Sequence, residues 1–275
     1  MNHKPVLIAT DLSARCDRPL DRAWMLAMEW KVKLYILHVT DPKKMEGLGI
    51  NEEDIEAQIR TELPKGRLDV EILTAAGQVA DTIAETATQK DCGLIVTGVA
   101  RYDSVGDIFL GNPVDQLVQY AEQPVLIVKQ KPIRSYNNIV IATDFSDGSL
   151  FALNKAAELF PENNLHLVHA YHEPYESWLK SEDFKLDVKS EEQTLMDRFL
   201  AKPGIDEAIF QRLNASIEKG DLGQVLQNKI EQTKSELVVL GTHGRSGFSA
   251  ATIGSKAKSI LGWAKQDVLM VRERK

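Results

Sequence analysis

An internal repeat is the feature of this sequence that most restricts its fold. Val6–Ser13 reads VLIATDLS, and Ile139–Ser146, which lies 133 residues further on, reads IVIATDFS. Later landmarks recur as well, since Gly98 and Gly241 each end an apolar run and are 143 residues apart. A chain that repeats itself at this spacing contains two copies of one structural unit. The repeat therefore predicts two homologous domains, residues 1–131 and 137–275, joined by a short linker.

Each copy alternates apolar, β-branched runs with helical patterns, which indicates a doubly wound α/β fold around a five-stranded parallel sheet. In such a sheet the carboxyl ends of the strands form the crevice where ligands bind. The predicted strands are Val6–Thr10, Lys33–Val39, Leu68–Thr74, Gly93–Gly98 and Val125–Lys129, then Asn138–Thr143, Leu165–Tyr171, Ala208–Ser216, Leu237–Gly241 and Val268–Arg272. The helices predicted in the first copy are Leu20–Trp30, Glu52–Leu63, Ala80–Gln89 and Pro113–Ala121.

The second copy is longer, and its extra residues fall in Glu173–Lys202. This insertion is rich in charged residues, and we expect an extended loop followed by an amphipathic helix, Glu182 to Leu200. Its aromatic residues Trp178 and Phe184 either line a partner site or lid, or cover the sheet as ordinary packing. Both interpretations stay open at this point.

Composition narrows the functional classes. The formal net charge is −7 and the pI is near 5.5, so a nucleic-acid scaffold, which needs a basic surface, is not expected. Cys16 and Cys92 lie far apart without CxxC or Cys/His spacing, which disfavours a zinc site and a disulfide framework and fits a reducing compartment. No apolar run is long enough for a signal peptide or a membrane span. We expect a cytoplasmic protein without membrane or nucleic-acid partners.

The stretch Leu237–Leu261 has the pattern of a phosphate-binding unit. An apolar run ends at Gly241, a polar loop contains Gly244, and Gly254 and Ser255 open an amphipathic helical pattern. Glycines let the backbone approach an anion closely, and the free amides and dipole of a helix start attract it. We therefore expect this stretch to hold the phosphates of a nucleotide, with Ser255 as the helix N-cap.

A carboxylate is expected to meet this loop at the same edge of the sheet. Asp144 follows the first strand of the second copy, directly after Ala142 and Thr143, and can accept hydrogen bonds from ribose hydroxyls. The alternative is an Asx-turn or a cap for a helix that starts at Ser146–Ser149. Duplication of the residue at Asp11, together with the loop, favours the ligand interpretation.

Three histidines near the second strand of this copy resemble a metal cluster. On a strand, His169 points to the face opposite His166 and His172, and those two are roughly 20 Å apart at the rise of a strand. They cannot share one ion, so we expect ordinary strand and strand-end histidines. The strand end at His169 and Ala170 is instead expected to wall a base and offer it backbone groups.

The repeated opening and the spacing Gly-x2-Gly-x9-Gly-Ser resemble the universal stress protein family in its tandem two-domain form, over essentially the whole chain. The resemblance implies an adenine nucleotide-binding-like fold with strand order 3-2-1-4-5 in each domain. It also implies that ATP, with Mg²⁺ left open, binds the second domain through Asp144, the backbone at Ala170 and the loop. The expected site residues are Ala142, Thr143, Asp144, Ala170, Gly241, His243, Gly244, Arg245, Gly254, Ser255 and Lys256.

Three of these residues carry alternatives. His243 and Arg245 lie inside the loop and can contact phosphate or magnesium-bound water, although Arg245 is equally interpreted as a solvated arginine. Lys256 stands where the family more often has an apolar residue, and either adds charge to the phosphates or points to solvent.

The first copy departs from the family pattern. Arg101 stands where the second glycine of the loop belongs, so a side chain replaces bare backbone there. Gly111 is followed by Asn112 and Pro113, an ordinary N-cap with proline at the first helical position. We expect a degenerate site in the first domain, although Asp11 leaves weak or altered binding open.

The resemblance also bears on assembly, because domains of this family pair through the edge next to the fifth strand. Val125–Lys129 and Val268–Arg272 are therefore expected to pair or abut, which makes the chain an intramolecular pseudo-dimer. A further homodimer and an unknown protein partner are left open.

The sequence leaves three functional hypotheses after several common catalytic motifs are excluded. The chain lacks a Walker-type G-x-x-x-x-G-K-[ST], a G-x-G-x-x-G after a first strand and a G-x-S-x-G elbow. The leading hypothesis is a stress-response regulator that binds ATP and is at most a weak ATPase, with no assigned catalytic residue. The alternatives are an enzyme that hydrolyses ATP or transfers phosphate, and an interaction or hydrophobic-ligand module that uses the insertion without nucleotide turnover.

Overall fold

A computed structural model of the protein describes residues 3–13, 16–40, 51–99, 113–172, 182–242 and 253–273, with the backbone alone at 182–187. The strands in these ranges are β1 (Val6–Thr10), β2 (Leu34–Thr40), β3 (Val70–Ala76), β4 (Leu94–Gly98), β5 (Val125–Val128), β6 (Asn138–Ala142), β7 (Asn164–Tyr171), β8 (Leu213–Lys219), β9 (Leu237–Gly241) and β10 (Asp267–Val271). The helices are α1 (Asp17–Trp30), α2 (Glu52–Glu62), α3 (Val79–Gln89), α4 (Pro113–Tyr120), α5 (Asp147–Leu159), α6 (Glu182–Leu200), α7 (Glu207–Phe210), α8 (Leu222–Thr233) and α9 (Ser255–Trp263).

The described strands form one ten-stranded sheet in the order β3-β2-β1-β4-β5-β10-β9-β6-β7-β8. Numbered within each half, this is the order 3-2-1-4-5 twice, so the predicted doubly wound fold is confirmed. Neighbouring strands are parallel inside each half. The point where the strand order reverses in the second half lies between β6 and β9, which is where ligands bind in sheets of this kind.

The two halves meet through their fifth strands. β5 and β10 pair antiparallel, with Leu126 opposite Leu269, as a pseudo-twofold relation between the halves requires. The expected pairing of these edge strands is thereby confirmed. It converts two exposed sheet edges into one continuous, hydrogen-bonded sheet.

Helices cover both faces of this sheet. One core includes apolar residues of α1, α2, α5 and α6, and the other includes those of α3, α4, α8 and α9. Each core draws residues from both halves, and strand side chains such as Leu7, Ile8, Val238 and Val239 have no exposed surface. Strands covered on both faces read as continuous apolar runs, which explains why their sequence signal is strong.

A buried ionic cluster joins the linker to both halves. The carboxylate of Asp267, 1% exposed, accepts hydrogen bonds from the Tyr136 hydroxyl at 2.6 Å and the Lys129 amide at 2.8 Å. Arg22 of α1 lies 3.4 Å from the same carboxylate, and its guanidinium stacks 4.0 Å from the centre of the Tyr136 ring. Burial, and then the charge of Asp267, raise the pKa of the Tyr136 phenol well above its ordinary value. The phenol therefore stays protonated and acts as the donor.

The insertion helix matches its predicted bounds, but the strand predicted at Ala208–Ser216 is wrong at its start. Glu207–Phe210 forms the short helix α7, because the Asp206 side chain accepts from the amide of Ile209 at 2.8 Å and caps it. The strand that follows is Leu213–Lys219. An apolar pair, Ile209 and Phe210, gave this helical turn the sequence pattern of a strand.

No helix in the described part of the chain is long and apolar enough to cross a membrane. The same residues contain no group of three histidine, cysteine, aspartate or glutamate side chains arranged to hold a metal ion.

Candidate functional site

The first strand of the second half ends in a hydrogen-bonded turn. Beyond β6, the amide of Thr143 donates to the carbonyl of Val168 at 3.0 Å, which extends the ladder by one residue. The buried Thr143 hydroxyl then accepts from the amide of Phe145 at 3.0 Å. Phe145 has a φ of 65°, a left-handed conformation that costs a residue with a Cβ about 1–2 kcal/mol. The threonine hydroxyl helps to hold the chain in this conformation.

Asp144 lies at the centre of the turn. Its Oδ1 atom accepts from the Ser146 amide at 3.1 Å and from the Ser146 hydroxyl at 2.5 Å. The same Ser146 caps α5 by accepting from the amide of Ser149 at 3.2 Å. The Asx-turn and helix cap that the sequence left open are therefore present. Asp144 has this structural role whether or not it also contacts a ribose.

Two alanines line the sheet beside the turn. Ala142 is the last residue of β6, and Ala170 lies near the end of β7, where it pairs with Glu218 in the ladder. Both are partly buried against the core on the side of α8 and α9. Because methyl groups occupy little of this edge, the pair is compatible with a wall for a flat ring.

Gly241, at the end of β9, is explained by packing. A Cβ atom built there would lie 3.1 Å from the carbonyl oxygen of Gly148 and 3.2 Å from its carbon, which is closer than side chains normally approach backbone. The absence of a side chain at Gly241 lets the first turn of α5 pack against the end of β9. The Asp144 turn and the chain that leaves β9 therefore reach the same edge of the sheet.

A hydrogen bond joins the end of β9 to the start of α9. The amide of Gly254 donates to the carbonyl of Thr242 at 2.9 Å, and the buried Ile253 side chain anchors the returning chain. Thr242 and Gly254 therefore lie together at the end of β9, next to the start of α9.

The start of α9 differs from the prediction. Gly254, with φ −56° and ψ 141°, is the N-cap, and no side chain of the described residues caps the helix. Ser255 is therefore the first helical residue and not the cap, because the carbonyl of Gly254 accepts the first hydrogen bond of the helix, from the amide of Lys258 at 3.0 Å. Ser255 and Lys256 are both exposed. By contrast, the Asp221 side chain caps α8 through two amides, those of Gly223 and Gln224.

Several predicted residues fall outside the described part of the chain. Those of the second half are His243, Gly244 and Arg245, and those of the first are Arg101, Gly111 and Asn112. Trp178 also lies outside it, and so does the side chain of Phe184. Pro113 is described, and it is the first residue of α4 as expected.

A scan against protein-family models matches the Universal stress protein family twice, at residues 2–129 and 135–272. The chain belongs to the universal stress protein family. The two matches correspond to the two halves of the sheet, and the resemblance seen in the repeated motifs is confirmed.

Curated relatives agree with this assignment. The chain is 24% identical over 213 residues to the universal stress protein E homolog of Haemophilus influenzae, a match that covers 71% of this chain and 67% of that protein. It is 27% identical over 178 residues to universal stress protein E of Escherichia coli K12. That match covers 58% of this chain and spans little more than half, 55%, of the relative's length.

Solved structures show the same fold. A structure from Pseudomonas aeruginosa UCBPP-PA14, described as a universal stress protein, superposes with a TM-score of 0.65 at 21% identity and covers 99% of this chain and 93% of that one. A universal stress protein of Archaeoglobus fulgidus gives a TM-score of 0.62 at 19% identity, with 98% and 96% covered. The tandem arrangement thus extends over nearly the whole length of both universal stress protein structures.

The first half of this universal stress protein repeats the turn. Asp11 Oδ1 accepts from the Ser13 amide at 2.9 Å and from the Cys16 thiol at 3.0 Å. Burial raises the pKa of the Asp11 carboxyl, but the bonds from Ser13 and Cys16 outweigh it, so its pKa lies below the ordinary value. Burial raises the pKa of the Cys16 thiol to about 11, which keeps it protonated and able to donate.

Sequence reasoning missed the role of two histidines in these turns. His169 Nδ1 lies 2.8 Å from the carbonyl oxygen of Thr143, and His38 Nδ1 lies 2.9 Å from that of Thr10. His166, by contrast, faces the Asn138 side chain at 3.3 Å. The available signal was the recurrence of a histidine in the second strand of each half, near the end that adjoins the turn.

Proposed function

We propose that the second half of the chain binds an adenine nucleotide, ATP, and that the protein acts as a nucleotide-dependent regulator in the stress response. One observation carries the proposal: the uncapped start of α9 and the Asp144 turn lie at the same carboxyl edge of the sheet, at the point where the strand order reverses.

The phosphates are assigned to the start of α9. Among the described residues no side chain caps this helix, and an anion placed there gains amide donors and the positive end of the helix dipole. Lys256 is exposed in the first turn, and its ammonium group adds a positive charge on the same side. Its other interpretation, a lysine that points to solvent, predicts no loss of affinity on substitution.

The nucleoside is assigned to the Asp144 side of the crevice. Oδ1 already accepts two hydrogen bonds from Ser146, but a carboxylate offers about four acceptor positions. We assign the ribose hydroxyls to this carboxylate alongside Ser146. The base would lie over Ala142 and Ala170, where backbone groups near the end of β7 can form hydrogen bonds with its edge.

We assign no catalytic base among the described residues. Asp144 is committed to the turn, and His243 lies outside the described part of the chain. Slow ATP hydrolysis is thus an outcome to measure and not a component of the proposal.

The alternative, an interaction module built on the insertion, is less well supported. Met196 and Phe199 of α6 are each 1% exposed, and the Phe199 ring lies 5.7 Å from that of Phe145. The described part of the insertion helix is therefore already packed on the core and leaves these side chains little surface for a partner.

Calorimetry of the purified protein with ATP tests the proposal, together with mass spectrometry for nucleotide carried through purification. cAMP, the ligand in the solved structure of one universal stress protein, is the second probe. We expect binding of ATP by the wild type and its loss in Gly244→Arg, which copies Arg101 of the first half. A wild type that binds neither nucleotide would overturn the proposal.

A further inference from the structure

His169 connects three elements at the candidate site. Its Nδ1 atom lies 2.8 Å from the Thr143 carbonyl oxygen, directly before Asp144. Because a carbonyl oxygen can only accept, Nδ1 must carry a hydrogen and donate it. This hydrogen bond fixes the orientation of the peptide group that leads into the Asp144 turn.

The ring is held on its face as well. The His169 and Phe145 rings stack with centres 4.1 Å apart and an angle of 29°. Phe145 is the residue with the left-handed backbone, and the Phe199 ring of α6 packs against the Phe145 ring with centres 5.7 Å apart. The imidazole therefore supports both the carbonyl that enters the turn and the side chain that follows Asp144.

The remaining ring nitrogen faces the insertion helix. His169 Nε2 lies 3.3 Å from Oε2 of Glu192 in α6. That oxygen is buried and has no hydrogen-bond partner in the part of the chain that the structure describes. Since Nδ1 already carries a hydrogen, the contact is an ion pair when Nε2 is protonated as well. The imidazole thus bridges α6 and the turn.

The first half contains the matched case. His38 makes the same bond to Thr10 at 2.9 Å, in front of Leu12, whose φ is 59°. No carboxylate forms an ion pair with His38 among the described residues, whereas Glu192 reaches His169. The histidine-to-carbonyl bond is therefore common to both halves, and the link to an insertion helix belongs to the second.

We infer that His169 is a positioning residue for the nucleotide site: it orients the Asp144 turn through the Thr143 carbonyl and joins that turn to α6 through Glu192. This inference rests on the proposed function, because it assigns His169 to the support of the same site. It makes the insertion helix a structural support of ligand binding and not a separate partner surface.

Two substitutions of His169 test the roles of the two ring nitrogens separately. Asparagine places an amide nitrogen near the position of Nδ1, and glutamine places one near that of Nε2. We expect His169→Asn to keep ATP affinity within about threefold of wild type, and His169→Gln and His169→Ala to lower it about tenfold, the size of one lost hydrogen bond. Calorimetry gives the affinities, and urea denaturation gives the stability of each variant.

His38→Ala is the control for general destabilisation. It removes the same bond in the first half, so it should cost a similar amount of stability while ATP affinity stays at the wild-type value. A wild type that fails to bind ATP would refute the proposed function. A wild type that binds, with His169→Gln binding as well as His169→Asn, would refute the role of His169. That comparison decides the point even if His169→Ala does not fold.

The link to α6 has its own matched pair. Glu192→Ala should weaken ATP binding by about threefold, the scale of a partly exposed ion pair. Glu191→Ala, at the exposed neighbouring position, should leave the affinity unchanged. Equal affinities for the two variants would remove Glu192 from the inference.

Discussion

The two halves build the same turn after their first strand and then start different helices. In both, a threonine hydroxyl accepts from the amide of a residue with positive φ, Leu12 at 59° and Phe145 at 65°. In both, the aspartate after this threonine accepts from the amide two residues later: Asp11 from Ser13, and Asp144 from Ser146. The turn is therefore a property of the repeated sequence and does not depend on a ligand.

The helix starts differ. Ser146 caps α5, which begins at the next residue, whereas α1 begins only at Asp17 and its N-cap residue, Cys16, makes no side-chain capping hydrogen bond. The Asp11 carboxylate is contacted by the Cys16 thiol, whereas the Asp144 carboxylate is contacted by the Ser146 hydroxyl. A shared aspartate is thus insufficient evidence for a shared site, because its surroundings have changed.

The strand end beside the turn has changed too. Val39 follows His38 where Ala170 follows His169, and both side chains face the core of α3, α4, α8 and α9. A valine occupies more of this edge than an alanine. Together with Arg101 in the loop, this favours ligand binding in the second half alone.

The largest expected effect concerns the ionic cluster that joins the halves. Its carboxylate is Asp267 of the second half, and the equivalent position in the first half is Pro124, which has no charge. Asp267→Ala leaves Arg22 buried opposite no carboxylate and should destabilise the protein by about 3 kcal/mol, measured by urea denaturation. Lys4→Ala, which breaks an exposed ion pair with Asp91, is the control and should cause no measurable change. A near-neutral Asp267→Ala would show that strand pairing alone joins the halves.

An intermediate effect is expected from removing each turn aspartate. Asp144→Ala and Asp11→Ala both lose a carboxylate that accepts a turn amide, so each should cost about 1 kcal/mol of stability. ATP affinity should fall about tenfold in Asp144→Ala and stay unchanged in Asp11→Ala, as measured by calorimetry. Equal losses of affinity would mean that both halves bind, and the proposed asymmetry would be wrong.

Much of the fold was predictable from sequence for a physical reason. Strands buried on both faces, such as β1 and β9, must be continuously apolar, and the repeat predicts that the strands of one half recur in the other. The order of the strands was implied only by the family resemblance. The start of β8 was not predictable in this way, because the Asp206 cap turned an apolar pair into a helix. Such local hydrogen bonds compete with strand pairing and leave only a weak pattern.

The candidate site was predictable in part. Its expected glycines and Asp144 follow spacing rules, and those that are described lie at one edge of the sheet. The N-cap at Ser255 was wrong by one residue, because the carbonyl of Gly254 already accepts the first hydrogen bond of α9. The role of His169 was missed since its partner is a backbone carbonyl, which every residue has. His243, Gly244 and Arg245 remain predictions.

The smallest expected effect is the pH dependence of the stability that the Asp11 turn of the first half contributes. Because the pKa of Asp11 is lowered in the folded protein, the ionised carboxylate stabilises the fold at pH values above the ordinary aspartate pKa of about 3.9. This contribution is lost as the pH falls through the lower folded pKa. Urea denaturation of wild type and Asp11→Asn should therefore show a difference near neutral pH that shrinks on acidification below about pH 4. A difference that is constant with pH would show that Ser13 and Cys16 bind the neutral amide as well as the carboxylate, and that the charge of Asp11 contributes nothing to the turn.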